Sequence, residues 1–105
     1  MPTKFAINRG HKIAYRIDTL STTNNSNYSE TIIMQHGWTS TKEAWGVYSK
    51  HFIKNGGYTC ISIDSLAHGE SDSPPEKKFY GRKQRAEDVV AVMNQENIEK
   101  AHFIG

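Results

Sequence analysis

Two segments of this chain gather the side chains that do much of enzyme chemistry: Gln35-His36-Gly37-Trp38-Thr39-Ser40 and Asp64-Ser65-Leu66-Ala67-His68-Gly69-Glu70-Ser71. Together they hold an imidazole, a carboxylate and a hydroxyl, the inventory of a nucleophilic triad drawn from His36, Asp64 and Ser71. A triad is defined by geometry, so inventory alone does not make one. His36, Asp64 and His68 lack the compact spacing of a metal site. Neither G-x-G-x-x-G after a strand nor G-x-x-x-x-G-K-[ST] occurs, so nucleotide binding is not expected. No cofactor and no metal is expected either.

The elements around these segments place both at strand ends. Phe5 and Ile7 alternate with polar neighbours, residues 8–11 supply a turn, and Ile13, Tyr15 and Ile17 alternate again. That pattern predicts a β-hairpin with one face buried. Residues 19–30 are polar and low in complexity and read as a solvated connection. Thr31 to His36 is a mostly apolar strand closing on Gly37. Ser40 and Glu43 form an S-x-x-E capping box, which predicts a helix start. Trp45, Tyr48 and Phe52 give that helix a sheet-facing stripe, and Asn55-Gly56-Gly57 ends it.

Tyr58 to Asp64 reads as a strand buried on both faces. Asp64 to Gly81 is then a long loop, and connections of that length are often functional. A second helix follows from Arg82 to Glu96, with Ala86, Val89, Val90 and Met93 inward and Lys83 and Glu87 on the wet side. Ala101 to Ile104 begins a further strand. The order is an antiparallel β-hairpin, then β-α-β-α-β with parallel strands joined by right-handed crossovers, so the fold class is α/β. In open parallel sheets ligands collect at the carboxyl ends of strands. Here those ends are the two segments above and Phe103-Ile104-Gly105.

Composition narrows the classes further. The 105 residues suffice for one small domain, and 36% hydrophobic residues give it a thin core. The net charge of +2 is mixed along the chain without a basic block, which argues against nucleic acid or an anionic membrane as partner. No run could span a bilayer, and the N-terminus lacks the apolar core of a signal peptide. The sequons at Asn24 and Asn27 therefore read as chance. The single cysteine, Cys60, excludes an internal disulfide framework; it lies in an apolar run and reads as a buried, inert thiol. A soluble, cytoplasmic protein is expected. His11, His51 and His102 read as surface or packing residues, and Trp45 as core.

The motifs in this order resemble the α/β-hydrolase family. Its members carry His-Gly after the third strand, Asp-x-x-Gly-x-Gly-x-Ser after the fourth, and an apolar fifth strand entering Gly-x-Ser-x-Gly. His36 and Gly37 match the first, and Asp64, Gly69 and Ser71 match the second. Ala67 replaces the usual first glycine, where a left-handed backbone would be strained. Gly105 fits the first glycine of the nucleophile elbow. The resemblance implies that residues 1–105 are the front half of a hydrolase domain, with nucleophile, acid and catalytic histidine all later in the chain.

By the same resemblance the Trp38 N–H is an oxyanion-hole donor, Gly37 lets the backbone approach a small-molecule substrate, and the Trp38 indole lines the pocket. His36 supports that turn through hydrogen bonds to the loop backbone and is not the general base. Asp64 is expected to accept hydrogen bonds from its own loop, with Gly69 and Ser71 as turn formers. The implied parent is a serine-type, esterase-like hydrolase acting through an acyl-enzyme, with this segment inactive by itself. Two alternatives stay open: a parent with an aspartate nucleophile for epoxides or halides, and a complete small binding or regulatory module. The family's strand order sets the fifth strand near mid-sheet, which leaves an apolar edge and predicts low stability or self-association for the 105-residue chain.

Overall fold

The hairpin turn takes a form that only a few residue pairs tolerate. In the computed structural model, which describes residues 2–19 and 30–105, Arg9 and Gly10 have φ of 52° and 77°. Positive φ at both central positions is what a two-residue type I′ turn requires. It joins β1 (Lys4–Asn8) to β2 (His11–Asp18) antiparallel, with Asn8 opposite His11. Residues 20–29, which include most of the polar connection and both sequons, lie outside the described residues.

The hairpin buries one face, but not the one that carries Phe5 and Ile7. Ala6 pairs with Ile13, and Ala6, Ile13 and Tyr15 are buried, whereas Ile7 is 60% exposed. Side chains alternate along a strand, so only one parity of β1 can meet a helix. The Ala6 parity does, because Asn8 Nδ2 donates to Asp88 Oδ1 on the second helix at 2.7 Å.

Next to the hairpin come β4 (Thr59–Ile63), β3 (Thr31–Gln35) and β5 (His102–Ile104), giving the order β1-β2-β4-β3-β5. β4 runs antiparallel to β2 and parallel to β3, and β5 is parallel to β3. β3 and β4 feed two cores. Ile33, Ile61 and Ile63 join Ile13, Tyr15, Leu66 and Val92 on one face; Ile32, Met34 and Cys60 meet Trp45, Phe52, Ile53 and Tyr58 on the other. Apolar side chains on both faces explain why neither strand shows alternation. Beyond β3, the far edge of β5 has no partner strand among the described residues, and Phe103 is exposed.

The first helix begins differently from the expected capping box. A 3₁₀ turn over Lys42–Trp45 leads into α1 (Gly46–Gly56), and Thr41 before it offers no side-chain cap. Ser40 uses its N–H in a turn to the Gly37 carbonyl, and the Glu43 carboxylate pairs with Lys42 Nζ at 3.0 Å. The first N–H, that of Lys42, goes instead to Asp64 Oδ1 at 2.7 Å. Of the expected stripe, Trp45 and Phe52 pack against the sheet while Tyr48 is exposed and Ser49 is buried. The end of α1 is as expected: Gly57 takes φ 66° and its N–H bonds the Ile53 carbonyl.

The second helix, α2 (Arg82–Gln95), packs Val89 and Met93 of its expected apolar face against the core, but its most buried line is another. Val92 and Asp88 are fully or nearly buried, whereas Val90 is 51% exposed and Ala86 is exposed. Polar anchors set this rotation. Asp88 binds Asn8 on β1; Glu96, one turn beyond Val92, accepts from the Tyr15 hydroxyl and pairs with Lys4 at 2.7 Å. Glu87 is held by Arg9 at the hairpin turn. Burial, together with the Glu96 carboxylate, pushes the Tyr15 phenol well above its usual pKa, so it stays a donor. A Val92→Ala substitution should therefore cost about 2 kcal/mol in urea unfolding, while Val90→Ala stays within about 0.5 kcal/mol. Equal costs at the two positions would contradict this face.

Candidate active-site loops

The loops after β3 and β4 meet at the carboxyl end of the sheet, and their side chains are already committed to structure. His36, nearly buried, sets its Nδ1 2.7 Å from the Gly37 carbonyl, while its Nε2 lies 3.1 Å from the Ser65 N–H. One protonation state satisfies both contacts: a neutral ring with its proton on Nδ1. Gln35 Nε2 adds a bond to Ser65 Oγ at 3.0 Å.

Residues 37–40 form a turn closed by Ser40 N–H to the Gly37 carbonyl at 3.2 Å, with Thr39 at φ 66°. Only its third residue has positive φ, as in a type II turn, where glycine is usual. Among the described residues no hydrogen bond engages the Trp38 N–H, and the indole is 86% exposed. That ring sits edge-on to His68, centroids 5.4 Å apart, and His68 in turn lies 4.8 Å from His36.

Asp64 closes the other side. It is 0% exposed and accepts from the Lys42 N–H at 2.7 Å, Lys42 Nζ at 2.8 Å and the Glu70 N–H at 3.0 Å. Lys42 Nζ also reaches Glu70 Oε1 at 2.8 Å. Burial works against the Lys42 ammonium, but its hydrogen bonds to Asp64, Glu70 and Glu43 outweigh that and hold its pKa above the usual lysine value. Lys42 and Thr3 pull the Glu70 carboxyl below its ordinary 4.5. A Cβ at residue 69 would come within 2.3 Å of the Asp64 carboxylate, and φ there is +52°, so glycine is required twice over. Ala67 does take the left-handed backbone its replacement of glycine made costly, at φ 67°.

No triad forms among the residues that suggested one. Ser71 Oγ donates to the Asp64 carbonyl at 2.6 Å and accepts from the Ala14 N–H at 2.7 Å, which ties the loop to β2. His36 binds only backbone, and Asp64 is spent on Lys42 and Glu70. The Cys60 thiol is pushed up to about 11 by burial and by Asp18, too high for a thiolate nucleophile at neutral pH. Among the described residues no cluster of His, Cys, Asp or Glu could hold a metal ion, and no helix is long and apolar enough to cross a membrane. A cavity of about 1010 Å³ opens at the opposite end of the sheet, against Thr31, Thr59 and His102 where the parallel strands begin.

Sequence reasoning missed Lys42 and the structural roles of Glu70 and His68. The available signal for the first was a lysine in the opening turn of a helix, where the dipole favours acids. Such a residue needs an anionic partner from elsewhere in the fold.

The family model described as "alpha/beta hydrolase fold" matches residues 30–105, and this chain belongs to that family. A Bacillus subtilis (strain 168) protein, provisionally named 2-succinyl-6-hydroxy-2,4-cyclohexadiene-1-carboxylate synthase, is 30% identical over 75% of this chain and 28% of its own length. Bifunctional epoxide hydrolase 2 of Rattus norvegicus is 31% identical over 70% of this chain and 13% of its own. Among solved structures, an esterase from Exiguobacterium antarcticum superimposes with a TM-score of 0.80 at 22% identity, covering 96% of this chain and 34% of that one. The chain thus spans less than a third of the length of these two sequence relatives.

Lys42→Met leaves Asp64 buried without its counter-charge and should cost on the order of 3–5 kcal/mol in urea unfolding. Glu70 contributes stability above its ordinary 4.5 that is lost as pH falls through its lowered value. Glu70→Gln should therefore flatten the loss of stability as pH falls below its ordinary 4.5. A slope matching that of the unmodified chain would refute the pairing.

Proposed function

We propose that this chain is the amino-terminal part of a serine-type, esterase-like α/β hydrolase, and that its own contribution to catalysis is half of an oxyanion hole. Acyl transfer places negative charge on the substrate's carbonyl oxygen, and a preorganised N–H that pays no reorganisation cost stabilises it. The observation that carries this reading is the unengaged Trp38 N–H on a fixed turn at the carboxyl end of β3. Gly37 beside it leaves the approach open: a Cβ built there meets nothing within 4 Å. His36 supports the turn through the Gly37 carbonyl and the Ser65 N–H.

Gly105 adds spatial support. A Cβ built on it lies 3.5 Å from the Gln35 carbonyl, so a nucleophile carried just beyond β5 would emerge next to the oxyanion turn. On this reading the nucleophile, its acid and its histidine are not among residues 1–105, which would not turn over substrate by themselves. A second reading, an aspartate nucleophile opening an epoxide, draws on the likeness to the rat epoxide hydrolase. The same front half serves either chemistry.

In the full-length gene product, turnover of p-nitrophenyl acetate supports the first reading, and turnover of styrene oxide without ester hydrolysis supports the second. Gly37→Ala should leave the melting temperature unchanged and lower kcat/KM roughly 10- to 100-fold, since the added methyl meets substrate but not protein. Unchanged turnover in that variant removes the oxyanion role from this turn.

A further inference from the structure

The two loops exchange imidazoles. His36, from the β3 loop, accepts the Ser65 N–H of the β4 loop at 3.1 Å; His68, from the β4 loop, accepts the Thr39 N–H of the β3 loop at 3.1 Å. Each ring is anchored at its other nitrogen to a carbonyl of its own loop, His36 to Gly37 at 2.7 Å and His68 to Leu66 at 3.0 Å. Both rings must therefore be neutral with the proton on Nδ1, because an imidazolium has no acceptor nitrogen.

The exchange coincides with two of the four non-glycine positions at positive φ among the described residues. Thr39, β-branched, sits at φ 66°, and Ala67, which aims His68, sits at φ 67°. Non-glycine residues in this region are strained and persist where surrounding contacts over-determine them. The bond from His68 falls on Thr39 itself, one residue after Trp38, and the same ring supports the Trp38 indole edge-on.

We infer that His68 is a positioning residue for the Trp38 turn: by accepting the Thr39 N–H it holds the strained conformation that aims the Trp38 N–H. The inference rests on the reading of Trp38 as oxyanion donor, but the clasp can be measured without turnover. His68→Phe keeps a ring against Trp38 and removes the acceptor; His68→Gln restores an acceptor oxygen.

In the full-length gene product, His68→Phe should raise the exchange rate of the Thr39 amide and lower kcat roughly tenfold with KM within twofold. His68→Gln should recover most of both. Faster exchange with unchanged turnover retains the clasp and removes the donor role of Trp38. Unaltered Thr39 exchange in His68→Phe overturns the inference. Two-bond ¹H–¹⁵N correlations on the unmodified protein give a readout that needs no variant. They should show His68 protonated at Nδ1 and bare at Nε2, and a proton on Nε2 at neutral pH overturns the inference equally.

Discussion

The Asp64 carboxylate is removed from water at the end of β4, and the loops of this fold are arranged around keeping it paired. Three donors converge on it from two segments, the Lys42 N–H and ammonium from the start of the first helical turn and the Glu70 N–H from its own loop. A buried ion pair is not by itself a large net gain, because desolvation offsets most of the attraction. Its effect is conditional: once the carboxylate is inside, any arrangement that loses a donor is costly. That condition fixes where the 3₁₀ turn ahead of α1 starts and where the β4 loop turns. It also explains Gly69, where any side chain would occupy the carboxylate's own space.

Around this anchor the two loops hold each other through backbone groups. The imidazoles of His36 and His68 each reach across to the opposite loop, and Ser71 ties the β4 loop to β2 through Ala14. Polar side chains that could have done chemistry are consumed in building a rigid frame. Among the described residues the Trp38 N–H has no hydrogen-bond partner, and its exposed indole touches His68 edge-on.

Much of this architecture was legible from residue order. The hairpin, the apolar strand ending at His36, the doubly buried strand before Asp64, the Gly57 stop and the long β4 loop all rest on local rules: turn residues, periodicity and the chemistry of glycine. The misread features share a different cause. Phe5 and Ile7 alternate correctly, yet the parity facing α2 is that of Ala6, which depends on a helix some 80 positions away. Of the face its apolar residues suggested, α2 packs Val89 and Met93 inward, while Asp88 and Glu96, anchored to Asn8 and Tyr15, leave Ala86 and Val90 exposed. The Ser40–Glu43 box is locally plausible and loses to Asp64, a carboxylate from a later strand. In the site, motif order located His36, Gly37 and Asp64. The roles of Lys42 and His68 needed contacts 22 and 29 positions apart in the chain.

The strand order also has a consequence for synthesis. β3 lies between β4 and β5, and both follow it in the chain. A ribosome therefore releases Ile32, Ile33 and Met34 before either neighbour exists. At about 5–20 residues per second, some 28 further residues, roughly 1 to 6 s, must be added before β4 can cover the first edge. The second edge waits for β5. A central strand made before both of its partners is where a nascent chain of this topology is most open to mispairing.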